Sequence, residues 1–101
     1  LKMKPTYLLK NNRINKQYEF HIEGSIPKVE YRRTKEKIYL THTEIPKKLE
    51  GQGIASQLVK AVFEEIERQG LTLVPLCPFV AGYIQEHPEW KKLVAKDVNS
   101  M

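Results

Sequence analysis

The chain has 101 residues, 41% of them apolar and 29% charged, a size that allows one hydrophobic core and not two. That apolar share excludes a disordered tail, and the single cysteine, Cys77, excludes an internal disulfide and a multi-cysteine zinc site. The net charge of +5 is uneven: residues 1–48 carry 12 basic and 5 acidic side chains, residues 49–101 carry 5 and 7.

Tyr18 to Ile22 reads Tyr-Glu-Phe-His-Ile, the alternation of a half-buried strand. Gly24-Ser25 marks a turn, and Ile26 to Arg33 follows as a second strand with Val29 and Tyr31 on one face. Lys35-Glu36-Lys37 is a polar turn before a third strand, Lys37 to Ile45, rich in Ile, Tyr and Thr. Three strands joined by short turns predict an antiparallel meander. Ahead of it, Thr6 to Leu9 is a candidate strand and Asn11-Asn12 a candidate turn.

The period then changes. Ile54, Ala55, Leu58, Val59, Val62, Phe63 and Ile66 recur at helical spacing, with Gly51-Gln52-Gly53 before them and Gly70 as a stop. Leu71 to Leu76 is a short apolar strand, and Pro78 opens a helix that runs to about His87. Pro88 to Val94 reads as one more short helix, with Trp90 packing it on the sheet. This order predicts an α+β domain: an antiparallel meander, a crossover helix, a strand that can lie parallel, and C-terminal helices. One domain over 1–101 is expected, with 1–15 uncertain. Leu71 to Ile84 is the longest mostly apolar stretch and is broken by Pro75, Pro78 and Gly82, too short for a span of roughly 18 residues. No apolar run follows Lys2 and Lys4, so a secretory leader is not expected and the cytoplasm is the expected compartment.

The basic half reads two ways. It can attract a phosphate-bearing partner, nucleic acid or a nucleotide cofactor, or its lysines can be solvated strand edges. RNA stacking would need exposed rings beside the charge, and Tyr7, Tyr18, Phe20, Tyr31 and Tyr39 equally fit the buried side of strands. The glycine turn is also open to two readings. Glycines at a helix start admit a ligand close to the main chain, where unpaired N–H groups and the helix dipole favour an anion. A tight strand-to-helix turn would use the same residues. The Gly-Lys-Ser/Thr ending of a Walker loop is absent, as is the third glycine of the dinucleotide fingerprint.

Gly51-Gln52-Gly53-Ile54-Ala55 resembles the coenzyme A signature of the GNAT superfamily of N-acetyltransferases. The flanks tighten the resemblance: Ile-Tyr-Leu-Thr-His-Thr-Glu-Ile-Pro at 38–46, Pro-Leu-Cys-Pro-Phe-Val at 75–80 and His-Pro-Glu-Trp at 87–90. Together they are similar to the small stand-alone branch of that superfamily, over nearly the whole chain from Tyr18 to Val94. The resemblance implies a minimal GNAT-like fold and an acetyl-CoA site. The pyrophosphate would lie on backbone N–H groups of Gly51, Gln52, Gly53, Ile54, Ala55 and Ser56. The pantetheine arm would pair with Thr43, Glu44 and Ile45 like an added strand, and the thioester would lie where that strand parts from 71–76. Lys47 and Lys48 would help neutralise phosphates. The superfamily usually has Arg or Gln where this chain has Lys48, and Glu50 fits beside a polyphosphate only with its side chain turned to solvent. The superfamily elements that shape an acceptor pocket have no room here, which implies an open acceptor site suited to a protein tail or to a pocket completed by a partner.

Acetyl transfer to an amine needs a base, oxyanion stabilisation and a proton for the departing thiolate. His42 is the candidate base, since histidine titrates near neutral pH; strand alternation puts it on a face with Leu40 and Glu44, where it is otherwise a solvent-facing histidine. Cys77, between a strand and a Pro-opened helix, is a candidate nucleophile that would carry the acetyl group, or else a packed core thiol. Tyr83 is the candidate acid, as many superfamily members place a tyrosine in that helix, or it caps the core. His21 and His87 have no partners at metal spacing, so no metal is expected. The function implied is an acetyl-CoA-dependent N-acetyltransferase acting on an amine, perhaps a protein's. A non-enzymatic acyl-CoA-binding or partner-recruiting module and a small RNA-binding domain compete with it, nucleic acid being the less expected partner.

Overall fold

A computed structural model describes residues 5–96. Its strands are β1 (Lys10–Asn12), β2 (Gln17–Glu19), β3 (Lys28–Arg33), β4 (Lys37–Glu44) and β5 (Thr72–Pro75), and its α-helices are α1 (Ile54–Gln69) and α2 (Pro78–Glu86). They form one sheet in the order β1-β2-β3-β4-β5, antiparallel throughout except that β4 and β5 run parallel, with α1 as the crossover. This is the predicted mixed α+β architecture.

Two details at the N-terminal end correct the sequence reading. The first strand is Lys10–Asn12, not Thr6 to Leu9, and the turn follows at 13–16 rather than at Asn11-Asn12. Asn11 lies opposite Tyr18 in the ladder, so pairing with β2 decides the conformation of a segment whose side chains are polar. At the other end Pro88–Leu93 is a 3-10 segment, and Trp90 packs edge-on against Phe63 of α1, ring centroids 5.5 Å apart.

The core lies between one sheet face and the two helices. Tyr18, Val29, Tyr31, Ile38, Leu40 and Leu73 supply the sheet side, and α1 buries Ile54, Leu58, Val59, Val62, Phe63 and Ile66, the stripe read from the sequence except for Ala55, which is half-buried. The opposite sheet face presents Lys28, Glu30, Arg32, His42 and Glu44. On that face Glu19 is buried, accepting hydrogen bonds from Asn12 (2.9 Å) and Gln17 (2.6 Å) and pairing with His21 (2.8 Å). Burial pushes its carboxyl pKa up, but the bonds from His21, Gln17 and Asn12 outweigh this and hold it below the ordinary value. A depressed folded-state pKa stabilises the fold above the unfolded carboxylate's range, and that stabilisation is lost as pH falls through the folded value. Urea unfolding from pH 7 down to 3 is therefore expected to show an acid-side loss of stability that Glu19→Gln reduces.

Candidate functional site

β4 determines the site because it is longer than its neighbour. Its pairing with β5 ends at Leu40–Pro75, where the Leu40 carbonyl accepts the N–H groups of Leu76 (3.1 Å) and Cys77 (2.9 Å). Beyond this point the chain turns into α2 while β4 continues to Glu44. The β5-side edge of Thr41–Glu44 thus has no strand partner among the described residues.

A bulge alters which side chains flank that edge. Glu30 lies opposite His42 but Tyr31 lies opposite Leu40, leaving Thr41 as the extra residue. The alternation therefore slips by one. Thr43, opposite buried Val29, takes the core face that Leu40 occupies, and His42 falls on the other face with Glu30 and Glu44. The expectation that His42 shares a face with Leu40 is corrected; the pairing with Glu44 stands, His42 Nε2 lying 3.5 Å from its Oε1. Glu30, His42 and Glu44 bring one ligand atom each within 4.8 Å of one another, but Lys28 Nζ lies 3.5 Å from Glu30, occupying that charge. Thr43 meets Cys77, Oγ1 to Sγ 3.2 Å, and the sulfur is buried at the N-cap of α2.

After Pro46 a 3-10 turn, Lys47–Leu49, is anchored by buried Leu49, and the chain enters α1 through Gly51 and Gly53. These two have φ of +78° and +75°, angles that other residues adopt only with strain. Gly53 is the N-cap of α1 and no side chain caps the helix, so the first helical N–H groups are left for another acceptor. Beside them is a hollow of about 250 Å³ bounded by Ile45, Glu50, Gly51, Gly53, the first turn of α1 (Ile54, Ala55, Ser56) and Phe79.

Much of the set proposed from the sequence meets here, and some does not. Ile45, Gly51, Gly53, Ile54, Ala55 and Ser56 surround the hollow, and Thr43 stands with Cys77 at the end of the open edge. Glu44, Lys47, Lys48 and Gln52 lie outside the lining; the Lys48 ammonium is 3.5 Å from the Glu23 carbonyl, and Gln52 donates to the Lys48 carbonyl. Glu50 is exposed, as a polyphosphate neighbour requires, yet belongs to the rim. Tyr83 is buried against Phe63 and His87, ring centroids 5.6 and 4.3 Å away, and burial raises its pKa, with Glu89 and Glu64 adding to the rise. Its ring contacts tie it to the α1 side of α2, not to Cys77 or His42. Phe79 was missed from the sequence. It stands off the buried positions of α2, Val80, Tyr83 and Ile84, and an aromatic off such a stripe is the signal that could have found it.

A family model described as GCN5-related N-acetyl-transferase matches residues 17–93. The chain belongs to this family. The GNAT resemblance read from the glycine turn and its flanks is thus borne out. The structure is also similar to the NMR solution structure of a GCN5-like protein from Staphylococcus aureus, with a TM-score of 0.66, 20% identity and 91% of each chain covered. Identity at that level shows a shared GNAT-like fold. No curated protein sequence matches the chain. No helix among the described residues is long and apolar enough to cross a membrane.

Proposed function

We propose that this GNAT domain is an acetyl-CoA-dependent N-acetyltransferase that transfers acetyl to an amine. One observation carries the reading: two left-handed glycines open an uncapped helix beside a hollow that continues from an unpaired strand edge. The residues suit coenzyme A. Backbone N–H groups from Gly51 to Ser56 would take the pyrophosphate, the helix dipole adding to their pull on an anion. Ile45 and Phe79 offer apolar surface to the pantetheine arm, and the free edge of β4 offers main-chain hydrogen bonds. Bound acetyl-CoA supplies an activated acyl group. The chain's own part is to hold it and to take the proton from the incoming amine.

For that proton we assign His42. It is exposed on the part of β4 beyond β5, and Glu44 stands beside it to orient the ring. An open sheet face around it suits an acceptor presented on a protein. A second reading, an acyl-CoA-binding module without turnover, is favoured by the buried Cys77 sulfur, whose polar neighbour is Thr43 and not a base. Calorimetry with acetyl-CoA followed by assay of free-thiol release with lysine peptides tests both: binding with release supports the transferase, binding without release over a broad peptide set supports the module, and no binding contradicts both.

Charges near the turn should matter less than its backbone. Lys47→Ala and Lys48→Ala are each expected to raise the Kd for acetyl-CoA by less than about tenfold, and by less still in 0.5 M salt, because exposed charges are screened. Glu50→Gln is expected to lower it about two- to fivefold by removing a like charge from the rim. Calorimetry at two salt concentrations checks all three.

A further inference from the structure

Of the 12 cations in the N-terminal half, only Lys47 and Lys48 flank the coenzyme turn; four others gather at the opposite end of α1. There a cavity of about 380 Å³ is lined by Arg13 and Lys16 from the β1–β2 turn, Arg32 and Arg33 from β3, and the polar groups of Asn11, Tyr31 and Gln69. Four cations line it and no carboxylate does. None of the four pairs with a carboxylate among the described residues. Arg32 donates to the Tyr31 carbonyl, and Arg33 to the Thr34 carbonyl and the Gln69 side-chain oxygen, all neutral acceptors. Glu65, which accepts from Gln69, is held by Arg68. Like charges collected round a concavity without counter-charge repel one another, and an anion would relieve this.

The walls are already set. Lys16 adopts φ +55° and its carbonyl accepts the Tyr31 N–H at 2.9 Å, tying the turn to β3. The Tyr31 hydroxyl donates to Asn11 at 2.7 Å, fixing the floor. The volume falls in the range of small-molecule sites. An extended nucleic acid is disfavoured, because Tyr18, Phe20 and Tyr31 are buried, and half-buried Tyr39, opposite Arg32 on β4, is one ring where successive bases need several. Guanidinium forks with a lysine suit the three oxygens of a phosphate dianion.

We propose that this cavity binds a small soluble phosphomonoester, at a site separate from the coenzyme turn. Gln69 ends the 16-residue helix that Gly53 begins, so the two sites lie about 24 Å apart. The test is an NMR titration of the full ¹⁵N-labelled chain with inorganic phosphate, with AMP, and with a short single-stranded RNA lacking terminal phosphates. Phosphate and AMP are expected to move the amides of Asn11, Lys16 and Gln69. The double variant Arg13→Gln with Lys16→Asn is expected to raise the Kd at least about tenfold, since it removes two charge-assisted contacts. Asparagine keeps the left-handed angle at 16, and an unchanged response of the 51–56 amides to CoA would show the variant folded. Three results would overturn the proposal: no shifts at this cavity up to about 10 mM ligand, the same shifts and affinity in the variant, or a response there to the RNA alone.

Discussion

Gly53→Val is expected to abolish acetyl-CoA binding, with the Kd raised about a hundredfold or more, while the domain still folds. Gly53 holds φ +75° where α1 begins. A left-handed angle costs a residue with a side chain about 1–2 kcal/mol, and a β-branched one more. Relieving that strain turns the first N–H groups of α1 away from one another, and an anion cradle depends on their convergence. The core does not depend on them: the buried face from Leu58 to Ile66 remains, and a loss of this size is smaller than the 5–15 kcal/mol typical of a domain. Gly51, ahead of the helix start, gives a comparison with the same left-handed strain. A Cβ there meets nothing within 4 Å, so Gly51→Ala carries only the cost of its angle and should weaken binding less. Calorimetry for affinity, with thermal melts for folding, checks both variants.

The second large effect concerns the chemistry. His42→Ala is expected to lower turnover about a hundredfold with little change in acetyl-CoA affinity, the usual consequence of losing a general base. Cys77→Ala is expected to keep most of its turnover, because the buried sulfur contacts Thr43 and serves packing. The competing route gives the opposite pattern. There the Cys77 sulfur bonds to the acetyl carbon, the bond from that carbon to the coenzyme sulfur breaks, and the thiol proton passes to the coenzyme. Incubation with acetyl-CoA would then add one acetyl group to the intact mass, and Cys77→Ser would lose it. An adduct together with an active His42→Ala protein would overturn the assignment of His42.

The sequence was legible where a pattern has only one phase. The α1 stripe, the glycine pair and the Pro78 helix start each specify their geometry locally, and the structure has them where the sequence puts them. Thr41-His42-Thr43-Glu44 is a different case. All four are polar, so hydrophobic alternation gives no phase, and the bulge at Thr41 that turns His42 from the core face and brings Thr43 to Cys77 is set by pairing with β3. Strand β1 was hidden for a related reason: Lys10, Asn11 and Asn12 have no strand propensity, and their conformation comes from β2. The basic cavity was legible only as a total of charge, because Arg13, Arg32 and Gln69 are brought together by topology and not by spacing.

The central claim is that the turn from Gly51 to Ser56 holds coenzyme A through its backbone. A crystal structure of the full chain with CoA tests it most directly. The account predicts the pyrophosphate within about 3.2 Å of N–H groups between Gly51 and Ser56, the pantetheine arm along the free edge of β4 and its sulfur near Thr43 and Cys77. A pyrophosphate seated elsewhere, for instance among Arg13, Arg32 and Arg33 at the far end of α1, with the glycine turn untouched, would contradict it.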